Sequence, residues 1–176
     1  MSNIIGVINR GRIEQIGDSH GIYERPATKF VAGFIGEANI IRATVAELRP
    51  NSALMKHDRL EFVAPAEGLT VGEELFLSVR PEKVRVGSAA DGCANRFEGT
   101  IADEVYVGLS SKVTIQLDLG GRLISRVPIV DIGQSIPIGS HVMVGWDPGN
   151  AILIRPPSET VGSRSGKSPS VPMPSP

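Results

Sequence analysis

Cysteine is nearly absent from this chain of 176 residues, in which Cys93 is the single example. One cysteine excludes an intramolecular disulfide and any zinc site built from several cysteines. Aromatic residues make up only 5% of the sequence, so a core must be built mainly from valine, isoleucine and leucine. No apolar run approaches the roughly 18 residues that a membrane-spanning helix needs.

Neither sign of charge is in excess. The chain has 18 Lys and Arg against 19 Asp and Glu, a formal net charge of −1. Balanced charge gives no general attraction to nucleic acid or anionic lipid, so we expect no nucleic-acid partner and no direct membrane insertion. The first residues lack the basic segment and long apolar stretch of a secretory signal, so we expect a cytoplasmic location.

Glycine and proline are plentiful, at 20 and 13 residues, which favours many turns between short strands. Apolar and polar residues alternate from residue 39 onward, most clearly where Val113, Ile115 and Leu117 face one way. The pattern predicts strands near residues 40–48, 60–63, 75–86, 97–107, 111–119, 122–127, 141–146 and 151–154. We expect them to close into a small β-barrel over residues 39–156, because closure removes exposed sheet edges.

The two ends of the chain differ from this middle region. Two β-compatible runs flank the turn at Asn9–Gly11, which predicts a hairpin. Two short helices are predicted next, the second from Thr28 to Ile35, with an apolar face that includes Phe30 and Phe34. Residues 157–176 are dominated by proline, serine and glycine, so we expect a disordered tail there.

Motifs for catalysis are not recognisable. Gly162–Ser168 has three residues, instead of four, between its first glycine and Gly-Lys-Ser, and a proline-rich stretch follows it, so it is not a phosphate-binding loop. No Gly-x-Ser-x-Gly nucleophile motif occurs. The three histidines, His20, His57 and His141, lie far apart in the sequence. We therefore predict no catalytic residue, no metal site and no cofactor.

Two groups of polar residues deserve a binding hypothesis. Ser110, Ser111 and Lys112 follow a glycine at a junction between strands, where hydroxyls, backbone amides and a cation can hold a small anion. An ordinary polar turn is the simpler interpretation. Arg80 and Glu82 flank a proline and are candidates for an interface with a neighbouring element or subunit, against the simpler interpretation of a solvated edge.

Four stretches occur in an order that is typical of one family: Val7–Gly17, Ile22–Gly36, Leu77–Val86 and Glu98–Gly121. They resemble the ATP-binding subunits of ABC importers, most closely the spermidine/putrescine type. Val7–Gly17 and Ile22–Gly36 resemble the end of the nucleotide-binding domain. Leu77–Val86 and then Glu98–Gly121 resemble the transport-associated OB domain, TOBE, of those subunits. The family's phosphate loop, signature motif, catalytic acidic strand and switch histidine have no counterpart in this sequence, so no ATP-binding residue is carried over.

The resemblance implies a mainly β fold, in which an OB-like barrel follows a hairpin and two short helices. Residues 1–38 would be the end of a nucleotide-binding domain, 39–156 the TOBE barrel and 157–176 the tail. The implied function is a non-catalytic regulatory and dimerisation portion of an importer for polyamines or similar small solutes. Its partners would be an ATPase core, a membrane permease and a second copy of the chain. The alternative is a stand-alone barrel that binds a small oxyanion such as molybdate.

Overall fold

The computed structural model describes residues 4–128 and 136–156. It begins with a two-stranded hairpin and two short helices, as predicted: β1 (Ile5–Asn9), β2 (Arg12–Gly17), α1 (Ser19–Glu24) and α2 (Lys29–Phe34). Each helix has a side-chain N-cap that satisfies an otherwise unpaired amide. Asp18 accepts from the Gly21 amide at 2.8 Å, and Thr28 accepts from the Val31 amide at 3.2 Å.

The remaining strands form two antiparallel five-stranded sheets, so the chain is mainly β, as predicted. The first sheet has the order β12-β6-β3-β4-β5, with β3 (Asn39–Arg49), β4 (Ser52–His57), β5 (Leu60–Ala64), β6 (Glu74–Val79) and β12 (Ala151–Ile154). The second has the order β10-β9-β8-β11-β7, with β7 (Arg85–Val86), β8 (Asn95–Val107), β9 (Ser110–Leu117), β10 (Arg122–Pro128) and β11 (His141–Trp146).

One hydrophobic core lies between the two sheets. Its largest side chain, Trp146, is fully buried and its ring lies 5.3 Å from that of Phe97 and 5.9 Å from that of Phe62. Aliphatic side chains from both sheets fill the rest, as the scarcity of aromatic residues requires. A second, smaller cluster joins the hairpin to the helices through Val7, Ile22 and Val31.

The two sheets are built from two similar halves of the chain, and each half contributes its last strand to the sheet of the other half. In each half a three-stranded meander is followed by a strand that pairs with the first strand of the meander. A 3-10 turn beginning with a proline then redirects the chain, at Pro81 after β6 and at Pro148 after β11. The short strand that follows joins the opposite sheet, so β7 pairs with β11 and β12 pairs with β6.

Two buried asparagine side chains close the seams between the sheets. Asn39, at the start of β3, donates to the Ile124 carbonyl at 2.8 Å and accepts from the Ile124 amide at 2.6 Å. Asn95, at the start of β8, makes the same pair of bonds to Val63, at 2.9 and 2.7 Å. Ile124 and Val63 lie on edge strands. Each asparagine side chain therefore pairs with the backbone of an edge residue as a neighbouring strand would.

Two sequence-based predictions need correction, and one strand was missed. Residues 75–86 are two strands in different sheets, because Pro81 ends β6 and the chain crosses over. Strand β4 was not predicted at all. The α2 helix buries Val31 and Ala32, whereas Phe34 is exposed, because the hairpin and α1 cover the side of the helix that carries Val31. The predicted tail, 157–176, lies outside the described residues, and the domain boundaries stay predictions.

We expect Asn95→Ala to lower the free energy of unfolding by about 2 kcal/mol, because both Val63 peptide groups lose their hydrogen-bond partner at the seam. Urea denaturation followed by Trp146 fluorescence measures the change. Asn51→Ala, in the exposed turn between β3 and β4, is the matched control and should stay within about 0.5 kcal/mol of the parent. Equal stabilities of the two variants would show that the amide does not close the seam.

Candidate functional site

The junction between the helices and the barrel is organised by Arg80, at the end of β6. The residue is 3% exposed. Its guanidinium donates to the backbone carbonyls of Tyr23 at 2.6 Å and Ala32 at 3.1 Å. It also donates to the carbonyls of Gly36 and Glu37, both at 3.4 Å. One side chain therefore holds α1, α2 and the segment that leads into β3.

Tyr23 and Glu82 complete the junction. The Arg80 guanidinium lies 4.0 Å from the centre of the Tyr23 ring, in a cation–π arrangement. The Tyr23 hydroxyl donates to Glu82 at 2.7 Å. Burial first, and then the bond to the Glu82 carboxylate, raise the pKa of Tyr23. The hydroxyl therefore stays protonated, and the bond persists, throughout the neutral range.

The structure brings together Arg80 and Glu82, which the sequence singled out as interface residues, at a contact within the chain. The simpler interpretation of a solvated edge is wrong for Arg80, which is buried. Contact of either residue with a second subunit stays a prediction. The sequence analysis did not identify Tyr23 as part of this junction. Its only signal in the sequence is its position, as an aromatic residue in a short helix that a proline interrupts.

The predicted anion-binding residues lie on β9, not in the turn before it. Ser110 and Lys112 project from one face of the strand, while Ser111 projects into the barrel and is fully buried. The Lys112 ammonium lies 3.1 Å from a Glu37 carboxylate oxygen. The Ser111 hydroxyl has no hydrogen-bond partner among the described residues. The three side chains therefore do not point toward one space, and ligand binding by them stays a prediction.

The hairpin carries an exposed apolar surface. Ile8 pairs with Ile13 across the hairpin, and Gly6 pairs with Ile16, so these isoleucines lie on the same side. The isoleucine face consists of Ile4, Ile8, Ile13 and Ile16, each between 60% and 65% exposed. The opposite side of the hairpin packs on the helices. Four adjacent exposed isoleucines form a patch of the kind that marks a contact with another protein or domain.

A second exposed apolar feature is the β8–β9 arm, the end of the hairpin formed by those strands. Val105, Tyr106, Val107 and Leu109 are all exposed there, and Leu109 is 91% exposed.

The single cysteine, Cys93, is buried, and that burial raises the pKa of its thiol. A raised thiol pKa reduces the thiolate fraction, so Cys93 fits a structural place better than a reactive one.

Residues 77–154 match the TOBE domain family. This match covers 78 of the 176 residues. The match begins within β6 and ends with β12, so it contains the Arg80–Pro81 turn, the whole second sheet and the exchanged strand of the first. Neither helix described in the structure has the length or apolar character to cross a bilayer.

Two relatives extend the similarity beyond the residues of the TOBE match. The spermidine/putrescine import ATP-binding protein PotA of Rubrobacter xylanophilus is 37% identical over 159 residues, which are 88% of this chain and 41% of that protein. The PotA of Nitrosospira multiformis is 33% identical over 163 residues, 89% of this chain and 45% of that protein. This chain is homologous to the C-terminal region of these relatives and spans less than half of their length.

A solved structure shares the fold of about two thirds of this chain. The cytoplasmic molybdate-binding protein ModG, crystallised with molybdate bound, has a TM-score of 0.55 with this chain at 21% identity. The likeness covers 67% of this chain and 96% of the ModG chain. At this identity it establishes the fold, an OB-like β architecture, and the predicted fold class is confirmed.

We expect Arg80→Met to lower the free energy of unfolding by about 3 kcal/mol, because four backbone carbonyls lose a charged donor in a buried place. Amide hydrogen exchange should also speed up in α1 and α2 before the barrel strands are affected. Arg80→Lys should recover part of the loss, since an ammonium keeps the charge without the planar set of donors.

Arg42→Met is the matched control, because Arg42 is an arginine on the same sheet with an exposed ion pair. It should change stability by less than about 1 kcal/mol. Uniformly faster exchange over the whole Arg80→Met chain would contradict a specific docking role.

Proposed function

We propose that this chain is the non-catalytic regulatory and dimerisation portion of the ATP-binding subunit of an ABC importer for polyamines or similar small solutes. The identity of 33–37% to spermidine/putrescine import ATP-binding proteins over almost 90% of this chain supports the assignment. The chain itself would catalyse no reaction and hold no cofactor. It would work at the cytoplasmic side of the membrane, through contacts with an ATPase core and a permease.

The isoleucine face is the structural observation that carries this proposal. Exposed apolar surface costs about 25 cal/mol per Å² relative to burial, so four adjacent exposed isoleucines favour a covering partner. The curated relatives contain more than half of their length outside the region matched by this chain. We propose that an ATPase core corresponding to that outside region covers the isoleucine face.

The β8–β9 arm supports the dimerisation part of the proposal. Its exposed apolar residues lie at the turn end of β8 and β9, which belong to a different sheet from the isoleucine face. Two separate apolar surfaces suit a domain that contacts an ATPase core with one surface and a second copy of itself with the other.

The proposal is tested with a chimera in which residues 4–156 replace the matching region of the Rubrobacter xylanophilus PotA. We expect the chimera to restore spermidine uptake in cells that lack their own ATP-binding subunit. Ile8→Asp combined with Ile16→Asp should abolish uptake, because two carboxylates cannot be buried unpaired against an apolar partner surface. Uptake of radiolabelled spermidine is the measurement.

Ile138→Asp is the matched control, since Ile138 is 65% exposed in a turn remote in sequence from the hairpin. It should leave uptake unchanged. Uptake that survives the double substitution would contradict the proposed contact. ATP hydrolysis by this chain alone, above the background of an inactive preparation, would contradict its non-catalytic character.

Binding of a small oxyanion is the second candidate function, favoured by the likeness to a molybdate-binding protein. Ser110, Ser111 and Lys112 remain the proposed ligands, although Ser111 would have to turn toward the other two. A thermal-shift series with molybdate, sulfate and spermidine separates the two functions. A rise in melting temperature with molybdate alone, lost in Lys112→Met, would favour the oxyanion function over the importer assignment.

A further inference from the structure

Three metal-ligating side chains meet on the outer face of the second sheet. Glu98 lies on β8, Asp118 follows the end of β9, and His141 begins β11. One carboxylate oxygen from each acid and one imidazole nitrogen lie within 4.8 Å of one another. The His141 Nε2 atom is 2.7 Å from Asp118 Oδ2. Residues 4–128 and 136–156 contain no other such group of three.

The backbone of the sheet fixes this arrangement. Strand β8 lies between β9 and β11, so each ligand comes from a different neighbouring strand or its end. The Asp118 amide donates to the Glu98 carbonyl at 3.0 Å, and His141 pairs in register with Thr100. Residues 98 and 100 of a strand project to the same side. The three side chains therefore rise from one rigid surface and need only rotate about their own bonds to surround an ion.

We propose that Glu98, Asp118 and His141 bind a divalent transition-metal ion, for which zinc is the best fit. Zinc takes histidine nitrogen and carboxylate oxygen at about 2.0–2.2 Å, so its ligand atoms lie about 3.5 Å apart in a tetrahedron. The three ligand atoms lie within 4.8 Å of one another, with His141 and Asp118 at 2.7 Å, so small side-chain rotations bring them to that spacing. Two carboxylates balance the charge of the dication, and the exposed position leaves water to fill the remaining coordination. The imidazole favours zinc over magnesium, which prefers oxygen ligands.

This site does not depend on the importer assignment, because it lies on the barrel apart from the isoleucine face. It also differs from the prediction of no metal site. The three ligands are separated in the sequence by whole strands, and only the register of β8 with β9 and β11 places them together.

Isothermal titration of the full chain with zinc chloride at neutral pH tests the proposal. We expect one saturable site. Its affinity should fall at least about tenfold in His141→Gln and in Asp118→Asn, because removal of a residue that only hydrogen-bonds to a metal ligand already costs about that much. His57→Gln is the matched control, because His57 also lies near a carboxylate, 3.7 Å from Asp58, but without a third ligand. It should bind zinc as the parent does.

NMR of the histidine rings gives a second, independent readout. Zinc should shift the ring signals of His141 and leave those of His20 and His57 unchanged, and circular dichroism should show that every variant keeps the β fold. Titration without a saturable site, equal affinity in the parent and His141→Gln, or magnesium bound as tightly as zinc would each overturn the proposal.

Discussion

The amide side chains of Asn39 and Asn95 are the interaction on which the barrel depends. Two separate sheets around one core leave unpaired peptide groups on β5 and β10, where an open edge would invite pairing with another chain. A primary amide offers a donor and an acceptor in one plane, as a peptide group does, so it pairs with both groups of an edge residue. Both amides are buried, so water cannot replace them.

The exchanged strands make the two halves of the repeat interdependent. Neither β7 nor β12 pairs within its own half, so each sheet is complete only when the other half has folded. The two prolines end β6 and β11 at equivalent places, because proline has no amide to continue the sheet. The seam near Asn95 also has no room for a side chain on β11. A Cβ on Gly145 would lie 2.3 Å from the Asn95 carbonyl oxygen, so glycine is required there.

Alternating hydrophobicity located the strands that bury one face, such as the strand containing Val113, Ile115 and Leu117. It failed where connectivity decides the structure, since the exchange at Pro81 splits one apparent strand between two sheets. The candidate site shows the same limit. The charged residues around a proline led to the prediction that Arg80 and Glu82 lie at an interface. The burial of Arg80 depends on carbonyls more than forty residues away in the sequence, so no local pattern could predict it. The family resemblance could be predicted from the sequence, because it depends on short local motifs and on their order along the chain.

Arg80 also determines how the barrel can act on its surroundings. Its acceptors are backbone carbonyls from α1, α2 and the segment before β3, so a shift of the helices against the barrel would break several charge-assisted bonds at once. The hairpin packs on those same helices. The barrel, the helices and the isoleucine face are therefore mechanically coupled. In the proposed importer subunit, a regulatory signal received by the barrel would reach the ATPase core as a movement of this whole unit, because the junction resists acting as a hinge.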